Sequence, residues 1–379
     1  MSASENSDVH RTVFRSSPLI PPSESTADAT GHYLVVMEGA EPGKCIEVAD
    51  APVTIGRDAR QTVVVSGDSQ ISRLHARVSL VGGGLVAEDM GSTNGTFAGA
   101  QRITQPTVLT EGQLLRVGQQ ILRYERRNRR DVKRGEELNR DLRKASMYVH
   151  SLLPPPISSG PVHVDWHFQP SAQLGGDAFG YYWLDPGTFI FYLMDVSGHG
   201  VGPAMHSVTV MNVLRQRALP GIDFTSPPDV LASLNARFPM DQHNSLYFTM
   251  GYGVYRTGDR TLTYSSGGHN PSFLVSPERA AAQPLGLPGL MIGAMPDQTY
   301  DVQETTVPPG SRFYLFSDGV FEVATKNQET WMLADFLPLL LEPPVDGMSE
   351  PARLFRRVKE VAKAGPLDDD FSLMTVTFP

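Results

Sequence analysis

The sequence predicts a multidomain protein with an all-β N-terminal domain, a helical connector and a C-terminal α+β domain. Short apolar runs separated by turn residues fill 31–125, which is typical of a β-sandwich. A segment with one apolar face follows at 126–153, and 154–379 alternates longer apolar strands with helix-forming stretches. A chain of 379 residues is long enough to form two or three hydrophobic cores.

The composition and charge of the chain argue against several classes of protein. The formal net charge is −9, so we expect no nucleic-acid partner held by phosphate contacts. The longest apolar run, Phe189–Met194, is far shorter than the roughly 20 residues of a membrane span, and no membrane association is expected. Cys45 is the single cysteine and cannot form an internal disulfide, which indicates a reducing, cytoplasmic location. The polar residues 1–30 contain no signal-peptide core and are predicted to be a disordered tail.

The connector is predicted to be one helix that Pro154 ends, because proline cannot continue a helix. Its apolar residues recur at spacings of 4, 3, 4 and 3, at Leu138, Leu142, Ala145, Val149 and Leu152. This heptad-like stripe leaves two interpretations open. The helix either packs on its neighbour as a connector, or forms a short coiled coil that pairs two copies of the chain.

The C-terminal domain contains several predictable elements. Alternation over Val162–Phe168 predicts a strand, and the continuous apolar runs Phe189–Met194 and Phe313–Phe316 predict buried strands. The remaining predictions are helices from Pro203 to about Leu214, over Leu333–Leu341 and over Pro351–Ala364, and a last strand over Leu373–Phe378.

Four short motifs lie between predicted strands of the first domain. They are Gly56-Arg57, Ser72-Arg73-Leu74-His75, Asp89-Met90-Gly91-Ser92 and Thr93-Asn94-Gly95-Thr96. Loops on a rigid sandwich often carry binding residues, and arginine with short Ser, Thr and Asn side chains suits a phosphate group. In this order and spacing, the motifs resemble the forkhead-associated (FHA) domain over about residues 31–125. The resemblance implies an eleven-stranded sandwich that binds phosphothreonine peptides.

Carried over by position, the FHA resemblance implies which residues contact a phosphopeptide. These are Arg57, Ser72, Arg73, Thr93 and Asn94. Gly56, His75 and Gly95 would shape the loops. The implied partner is a phosphothreonine-containing protein or kinase. A domain that has kept the fold but lost binding is the open alternative.

Aspartates in the second domain stand next to predicted strands. Asp195 and Asp318 each follow an apolar strand, Asp177 follows two glycines, and Asp368–Asp370 precede the last strand. Converging carboxylates repel one another and are costly to bury, and a divalent cation offsets that cost. Aspartates without Cys or His pairs favour Mg²⁺ or Mn²⁺ over zinc, and two such ions can activate a water for phosphoryl transfer.

Six ordered motifs over about residues 145–379 resemble the metal-dependent protein phosphatases, the PPM family, in their SpoIIE/RsbU-like branch. They are Ser151-Leu152-Leu153-Pro154-Pro155, Gly175-Gly176-Asp177, Asp195-Val196-Ser197-Gly198-His199-Gly200, Gly267-Gly268-His269-Asn270-Pro271, Ser317-Asp318-Gly319-Val320 and Asp369-Asp370-Phe371-Ser372. The resemblance implies an α/β/β/α sandwich, two Mn²⁺ or Mg²⁺ ions, and hydrolysis of phosphoserine or phosphothreonine by a metal-bridging hydroxide. The implied substrate is a phosphoprotein, such as an anti-sigma-factor antagonist in partner-switching signalling.

The PPM resemblance also implies the ligands of the two ions. Asp195 would bridge both ions, the Val196 carbonyl and Asp177 would join one of them, and Asp318 and Asp369 would complete the other. Asp195, Asp318 and Asp369 would therefore be the catalytic carboxylates. No arginine can be assigned to the substrate phosphate from the sequence.

Three positions depart from the common family pattern. Gly180 stands where many relatives carry an acidic residue, Val196 where other branches carry glycine, and Ser372 where threonine is commoner. None of these changes removes an implied ligand. For the motif residues His199 and His269, loop-shaping or hydrogen-bonding roles are expected rather than catalysis.

These observations predict a metal-dependent Ser/Thr protein phosphatase that is recruited or regulated by a phosphothreonine-binding domain. Ser197 and Ser317 lack the sequence pattern of a nucleophilic serine. Two other functions stay open. One is an FHA-based scaffold whose phosphatase fold is weakly active, and the other is a hydrolase of a small phosphate ester.

Overall fold

A computed structural model describes residues 30–39 and 41–379. The chain divides into two compact units between Asn139 and Arg140. The disordered tail expected at residues 1–30 lies, except for Thr30, outside the described residues. Within the described residues, none of the helices is long and apolar enough to span a bilayer.

The first unit is a sandwich of two β-sheets, which confirms the predicted all-β domain. Its described residues form eleven strands: β1 (Thr30–Glu38), β2 (Cys45–Val48), β3 (Val53–Gly56), β4 (Val63–Val64), β5 (Ala76–Val81), β6 (Gly84–Asp89), β7 (Thr96–Ala98), β8 (Gln101–Arg102), β9 (Thr107–Leu109), β10 (Leu114–Val117) and β11 (Gln120–Asn128). One sheet has the order β2-β1-β11-β10-β7-β8 and the other β4-β3-β5-β6-β9. Leu34, Ile55 and Leu115 are fully buried in the core, because alternate side chains of each strand face inward.

A single helix, α1 (Arg129–Leu152), follows β11 and confirms the helical connector. It ends two residues before Pro154, as proline requires. None of its 24 residues is buried, and Leu138 in the apolar stripe is 59% exposed. The other residues of the stripe are partly buried. The described residues of one chain therefore leave some of the apolar stripe exposed to solvent.

The second unit contains two five-stranded sheets with helices on both outer faces. Its strands are β12 (His163–Gln169), β13 (Ala178–Asp185), β14 (Thr188–Val196), β15 (Phe248–Arg256), β16 (Thr261–Gly267), β17 (Ser272–Val275), β18 (Ala282–Leu285), β19 (Val302–Thr306), β20 (Ser311–Phe316), β21 (Val323–Ala324), β22 (Thr330–Trp331) and β23 (Phe371–Phe378). Its helices are α2 (Val201–Arg215), α3 (Pro227–Arg237), α4 (Leu333–Leu341) and α5 (Glu350–Val361). The four predicted strands correspond to β12, β14, β20 and β23, and the three predicted helices to α2, α4 and α5.

The layers of the second unit follow from the pairing of its strands. The sheets have the orders β12-β23-β20-β17-β18 and β13-β14-β15-β16-β19, and β23 pairs antiparallel with both β12 and β20. Helices α4 and α5 pack on the first sheet, and α2 and α3 pack on the second. The inner faces meet at Phe191 and Phe313, whose ring centroids are 5.5 Å apart. This is the α/β/β/α sandwich that the family resemblance implies.

Candidate active site and binding loops

Buried His75 connects two loops of the first unit. Its Nδ1 accepts the backbone N–H of Ser72 at 3.2 Å, and its Nε2 lies 3.2 Å from the Gly95 carbonyl and donates to it. Gly95 has a φ of 82°, in the left-handed region that favours glycine. His75 and Gly95 therefore shape the loops, as the motif suggested.

Gly56 lets the Arg57 loop approach the loop that contains Arg73 closely. A side-chain carbon at Gly56 would collide with the Arg73 carbonyl, so only glycine fits without a backbone shift. The Arg57 N–H donates to the Ser72 carbonyl at 3.0 Å, which fixes the backbone beneath an exposed guanidinium. The neighbouring Arg60 is instead held by the Asp58 carboxylate through two hydrogen bonds of 3.0 Å.

Side-chain hydrogen bonds connect the loops that carry the remaining predicted binding residues. Ser72 Oγ accepts the Thr93 N–H at 3.1 Å, and Asn94 Nδ2 donates to the Gln70 carbonyl at 2.9 Å. Arg73 is exposed in the same loop as Ser72. The structure thus places all five predicted residues on three loops that are tied together by hydrogen bonds.

Asp89 supports these loops, a role that the motif alone did not reveal. Its carboxylate accepts hydrogen bonds from the Ser92 N–H, Ser92 Oγ and Thr96 Oγ1 at 3.0, 2.6 and 2.7 Å. Although burial opposes the effect, these bonds hold the pKa of Asp89 below its usual value. Asp89 therefore stays ionised and fixes the turn that carries Thr93 and Asn94.

In the second unit, β14 ends at the predicted ligands Asp195 and Val196. Asp195 lies opposite Thr249 of β15 in the antiparallel register. A side-chain carbon at Gly176 would lie 2.5 Å from the Val196 carbonyl oxygen. Glycine at this position therefore lets the segment before Asp177 reach that carbonyl.

The start of β23 is bonded to the end of β20 through Ser317. The Ser317 N–H donates to the Ser372 carbonyl, and Ser317 Oγ donates to the Asp370 carbonyl, each at 3.0 Å. A side-chain carbon at Gly319 would collide with the same Asp370 carbonyl. This packing brings Asp318 beside Asp369 and gives Ser317 a structural role.

Asp370 is a residue of the site for which no role was predicted. It is 3% exposed, and its carboxylate accepts the Ser171 N–H at 2.8 Å, Ser171 Oγ at 3.0 Å and the Gly176 N–H at 2.7 Å. A side-chain carbon at Gly175 would collide with that carboxylate. Asp370 therefore holds the segment leading to Asp177 against the start of β23.

The predicted ligands form one electrostatic cluster. Burial and the charges of Asp195 and Asp370 raise the pKa of Asp177 well above its usual value. Burial and the charges of Asp318 and Asp369 raise the pKa of Asp195 to about 7. Burial and the Asp369 charge raise the pKa of Asp318 to about 6, and burial also raises that of Asp369. The charges of Asp195, Asp318 and Asp369 therefore each raise the pKa of a neighbouring carboxylate, as is expected of carboxylates grouped around a shared centre.

The residues present fit a hard divalent cation. Asp177 Oδ2 is buried and has no hydrogen-bond partner within the described residues, although its neighbours are also carboxylates. A cation would satisfy that oxygen and remove the mutual repulsion that raises these pKa values. Over residues 30–39 and 41–379, no three His, Cys, Asp or Glu side chains alone form a ready-made ion site. The Val196 carbonyl and water would therefore have to complete the coordination.

The two motif histidines lie beside the carboxylates, one of them buried and the other exposed. Burial lowers the pKa of His269 to about 4, so its ring is neutral near pH 7, and its Nδ1 lies 2.9 Å from Thr249 Oγ1. His199 is exposed and lies near Asp369. Ser197 bonds to the chain at Tyr247 through its N–H and its Oγ, at 3.0 and 3.3 Å.

A cleft of about 390 Å³ opens beside Asp195 and Asp318. Its other walls include His269, Asn270 and Glu322. No lysine or arginine of the described chain lines it, so the structure also assigns no arginine to a substrate phosphate.

The departure at Gly180 has a steric cause. Gly180 of β13 pairs with Tyr192 of β14, and a side-chain carbon at Gly180 would collide with the buried Tyr192 hydroxyl. An acidic side chain therefore does not fit at this position. The large aromatic partner on the neighbouring strand explains why this chain carries glycine there.

We predict that Asp370→Asn lowers the free energy of unfolding of the second unit by about 2–3 kcal/mol, because the amide has one acceptor oxygen where the side chain of Asp370 accepts hydrogen bonds at both oxygens. The exposed Asp368, paired with Lys363, is the matched control, and Asp368→Asn should change stability by less than about 1 kcal/mol. Urea unfolding measures both. Equal effects of the two substitutions would contradict the role given to Asp370.

We also predict that the metal-free second unit becomes less stable as pH rises from 5.5 to 7.5. A carboxyl group whose folded pKa is raised binds more protons in the folded state, so the free energy of unfolding falls through the window up to about pH 7 set by Asp195 and Asp318. We expect a decrease in Tm on the order of 5 °C by calorimetry. Mg²⁺ should raise Tm more at pH 7.5 than at pH 5.5, and Asp195→Asn should flatten the slope. A Tm that rises over this pH range without metal would contradict the cluster.

Family models and relatives match the two units separately. Residues 185–379 match the model described as stage II sporulation protein E (SpoIIE), and residues 53–118 match that of the FHA domain. Over 158 residues the chain is 29% identical to the phosphoserine phosphatase RsbU of Bacillus subtilis, covering 42% of this chain and 46% of that protein. Over 86 residues it is 41% identical to the FHA domain-containing protein FhaB of Mycobacterium tuberculosis, covering 23% and 55%. The chain thus spans about half the length of these curated relatives.

Solved structures show the same fold for the second unit. The SiaA-PP2C domain of Pseudomonas aeruginosa is similar with a TM-score of 0.56 at 18% identity, covering 65% of this chain and 98% of that one. The phosphatase and partial regulatory domains of SpoIIE from Bacillus subtilis give a TM-score of 0.50 at 18% identity, covering 57% and 61%. Together with the family models, these matches confirm both resemblances inferred from the motifs.

Proposed function

The chain belongs to the family of stage II sporulation protein E, whose model matches residues 185–379, and from that premise we propose that it is a metal-dependent Ser/Thr protein phosphatase. The observation that carries the proposal is the buried Asp177, which has an unpaired oxygen and faces the charges of Asp195 and Asp370. Ionising such a group of carboxylates together is costly unless a cation neutralises their charge. Phosphoryl transfer is the chemistry for which paired hard cations are suited.

The ligand set is proposed residue by residue. Asp195 would contact two Mn²⁺ or Mg²⁺ ions, with Asp177 and the Val196 carbonyl on one and Asp318 and Asp369 on the other. When bound, the ions supply an activated water and neutralise charge on the phosphoryl group. Asp370 holds the Gly176 segment in place, and the neutral His269 is held by Thr249.

The experiment compares three substrates on the full chain: para-nitrophenyl phosphate, a phosphoserine protein and a phosphothreonine protein. We expect EDTA to abolish hydrolysis and Mn²⁺ or Mg²⁺ to restore it. Activity that persists without metal, or that returns only with Zn²⁺, would contradict the proposed site. Restored activity on the small ester alone would favour the small-ester hydrolase, and no activity at all would favour the scaffold.

The FHA domain is proposed to recruit a phosphothreonine-containing protein or kinase. The support is the set of three tied loops around Arg57 and Ser72, within the region that matches the FHA model. The substrate of the second domain is proposed to be a phosphoprotein of partner-switching signalling, such as an anti-sigma-factor antagonist. The proposed location is the cytoplasm, because a single cysteine suits a reducing compartment.

The connector α1 is proposed to pair with a second copy of the chain. It has heptad spacing and no buried residue over 24 positions. Light scattering of the full chain tests this. Leu142→Asp in the stripe should shift a dimer toward monomer, whereas Arg143→Asp on the outer face should not. A monomer in the unmodified protein would leave α1 as a connector only.

A further inference from the structure

Strands β7, β8 and β10 place two exposed arginines and one phenylalanine side by side on one face of their sheet. Phe97 of β7 lies opposite Arg116 of β10 and also opposite Arg102 of β8. Side chains directly opposite one another on neighbouring strands share a face. Thr96 and Ala98, on either side of Phe97, are buried, so this face points away from the core. We call Arg102, Phe97 and Arg116 the basic row.

The basic row begins at the edge of the proposed phosphothreonine site. Strand β7 starts immediately after the Asn94–Gly95 turn. A side-chain carbon placed on Gly95 would lie 2.5 Å from Arg102 Nε, so the guanidinium lies directly against this turn. Arg116 lies two strands from Arg102, roughly 10 Å away at the usual spacing between strands. The row therefore continues the surface that the binding loops form.

Both guanidinium groups of the row have free hydrogen-bond donors. Among the residues that the structure describes, no carboxylate forms an ion pair with Arg102 or Arg116, and no acceptor is hydrogen-bonded to either side chain. Arg116 Cζ lies 4.0 Å from the centre of the Phe97 ring. This contact orients the Arg116 guanidinium without using its N–H groups. Both arginines can thus donate to an anionic ligand.

Most arginines of this domain share that state. Residues 53–118 contain six arginines and no lysine. Arg60 and Arg77 form ion pairs with Asp58 and Glu88. The arginines for which the described residues provide no such partner are Arg57, Arg73, Arg102 and Arg116. Two of these four belong to the binding loops and two to the basic row, so the unpaired positive charge extends from the loops onto the sheet.

The other carboxylates of the domain are held away from the row. Strands β7, β8 and β10 contain no Asp or Glu. Asp68, Asp89 and Glu111 each accept at least one hydrogen bond from a backbone N–H of a loop or strand. Glu38 of β1 belongs to the same line of paired residues but lies two strands beyond Arg116. The row therefore presents positive charge to a ligand.

We propose that the basic row binds an acidic segment of the same polypeptide whose phosphothreonine occupies the loops. The inference rests on the proposed phosphothreonine site and adds a sequence preference to it. An extended peptide rises about 3.3 Å per residue, so three residues span the distance from Arg102 to Arg116. Asp or Glu side chains of the segment form charge-assisted hydrogen bonds with the two guanidinium groups. The partner is thus a phosphothreonine protein with a short acidic stretch beside the phosphorylated position.

The test measures peptide binding to the full chain by fluorescence anisotropy, in EDTA so that the second unit does not hydrolyse the peptides. Three phosphothreonine peptides are compared: one with neutral flanks, one with three aspartates before the phosphothreonine and one with three after it. We expect one acidic peptide to bind about three- to tenfold more tightly than the neutral peptide. This preference should shrink in about 1 M NaCl, because salt screens exposed charges.

The outcomes separate this inference from the proposed function. Equal affinities of the neutral peptide and both acidic peptides would overturn the inference and leave the phosphothreonine site intact. No binding by any of the three peptides would overturn both. An unphosphorylated acidic peptide that binds as tightly as its phosphorylated form would overturn the inference, because the row would then act without the loops.

Substitutions in the row identify the groups responsible. Arg102→Gln and Arg116→Gln each remove one exposed charge, and the double variant should weaken binding of the preferred acidic peptide at least about threefold more than that of the neutral peptide. Arg77→Gln is the matched control, since Arg77 belongs to the other sheet and is paired with Glu88, and it should leave the preference unchanged. A preference that survives in the double variant, or equal losses for the acidic and neutral peptides, would overturn the inference.

Discussion

Asp195→Asn is expected to reduce phosphatase activity at least about a thousandfold while leaving the fold intact. Uncatalysed hydrolysis of phosphate monoesters is among the slowest reactions known, so loss of an ion-binding group removes most of the acceleration. Asp195 is the central member of the cluster, because Asp177, Asp318 and Asp369 are all electrostatically coupled to it. An amide at this position would offer one neutral oxygen in place of the anionic carboxylate that we propose the two ions share.

The control for this substitution is Asp185→Asn at the other end of the β13–β14 hairpin. Asp185 is exposed and accepts the Gly187 N–H at 2.8 Å, a bond that an asparagine oxygen also accepts. We expect Asp185→Asn to keep full activity and Asp195→Asn to bind Mn²⁺ more weakly by calorimetry. His199→Gln should cost much less than Asp195→Asn. An Asp195 variant with near-normal activity, or an equally severe His199 variant, would show that the ligands are wrongly assigned.

Arg57→Ala is expected to weaken binding of a phosphothreonine peptide by about 2–5 kcal/mol, which is at least about thirtyfold. The Ser72 carbonyl fixes the Arg57 backbone, so the residue that carries this exposed guanidinium is held against the Ser72 loop. A phosphate carrying about −1.5 to −2 charges pairs strongly with such a group. Hydrolysis of a small ester should be unchanged, because the carboxylates belong to the other unit.

Arg60→Ala is the control in the same loop. Arg60 is exposed and already paired with Asp58, so its loss should change peptide affinity by less than about threefold. Fluorescence anisotropy with a labelled phosphothreonine peptide measures both variants, and the unphosphorylated peptide gives the baseline. Equal affinities of Arg57→Ala and the unmodified protein would mean that the domain has kept its fold without this binding site.

Much of the fold could be predicted because it depends on local patterns. The continuous apolar run Phe189–Met194 predicts a buried strand from its own residues alone. Pro154 likewise ends a helix whatever the distant parts of the chain do. The strand-end aspartates Asp195 and Asp318 could also be identified, since Asp195 directly follows such a run and Asp318 is separated from one only by Ser317. These features depend on residues that are close in the sequence.

The remainder depends on partners that are distant in the chain. Which of three consecutive aspartates turns inward is decided by contacts with Ser171 and Gly176, almost 200 residues earlier, so Asp370 could not be singled out. The lack of space for a side chain at Gly180 is caused by Tyr192 of the next strand.

The position of β23 has a consequence for biosynthesis. This strand lies between β12 and β20, yet a ribosome makes it after every other strand of that sheet. Until residues 371–378 leave the exit tunnel, β12 and β20 keep unpaired edges, which are surfaces prone to aggregation. A nascent chain or premature-stop product lacking this strand and the preceding Asp369 and Asp370 would have neither a closed sheet nor a complete carboxylate cluster. The second unit should therefore complete its fold only after translation has passed Phe378, whereas the first unit can fold while synthesis continues.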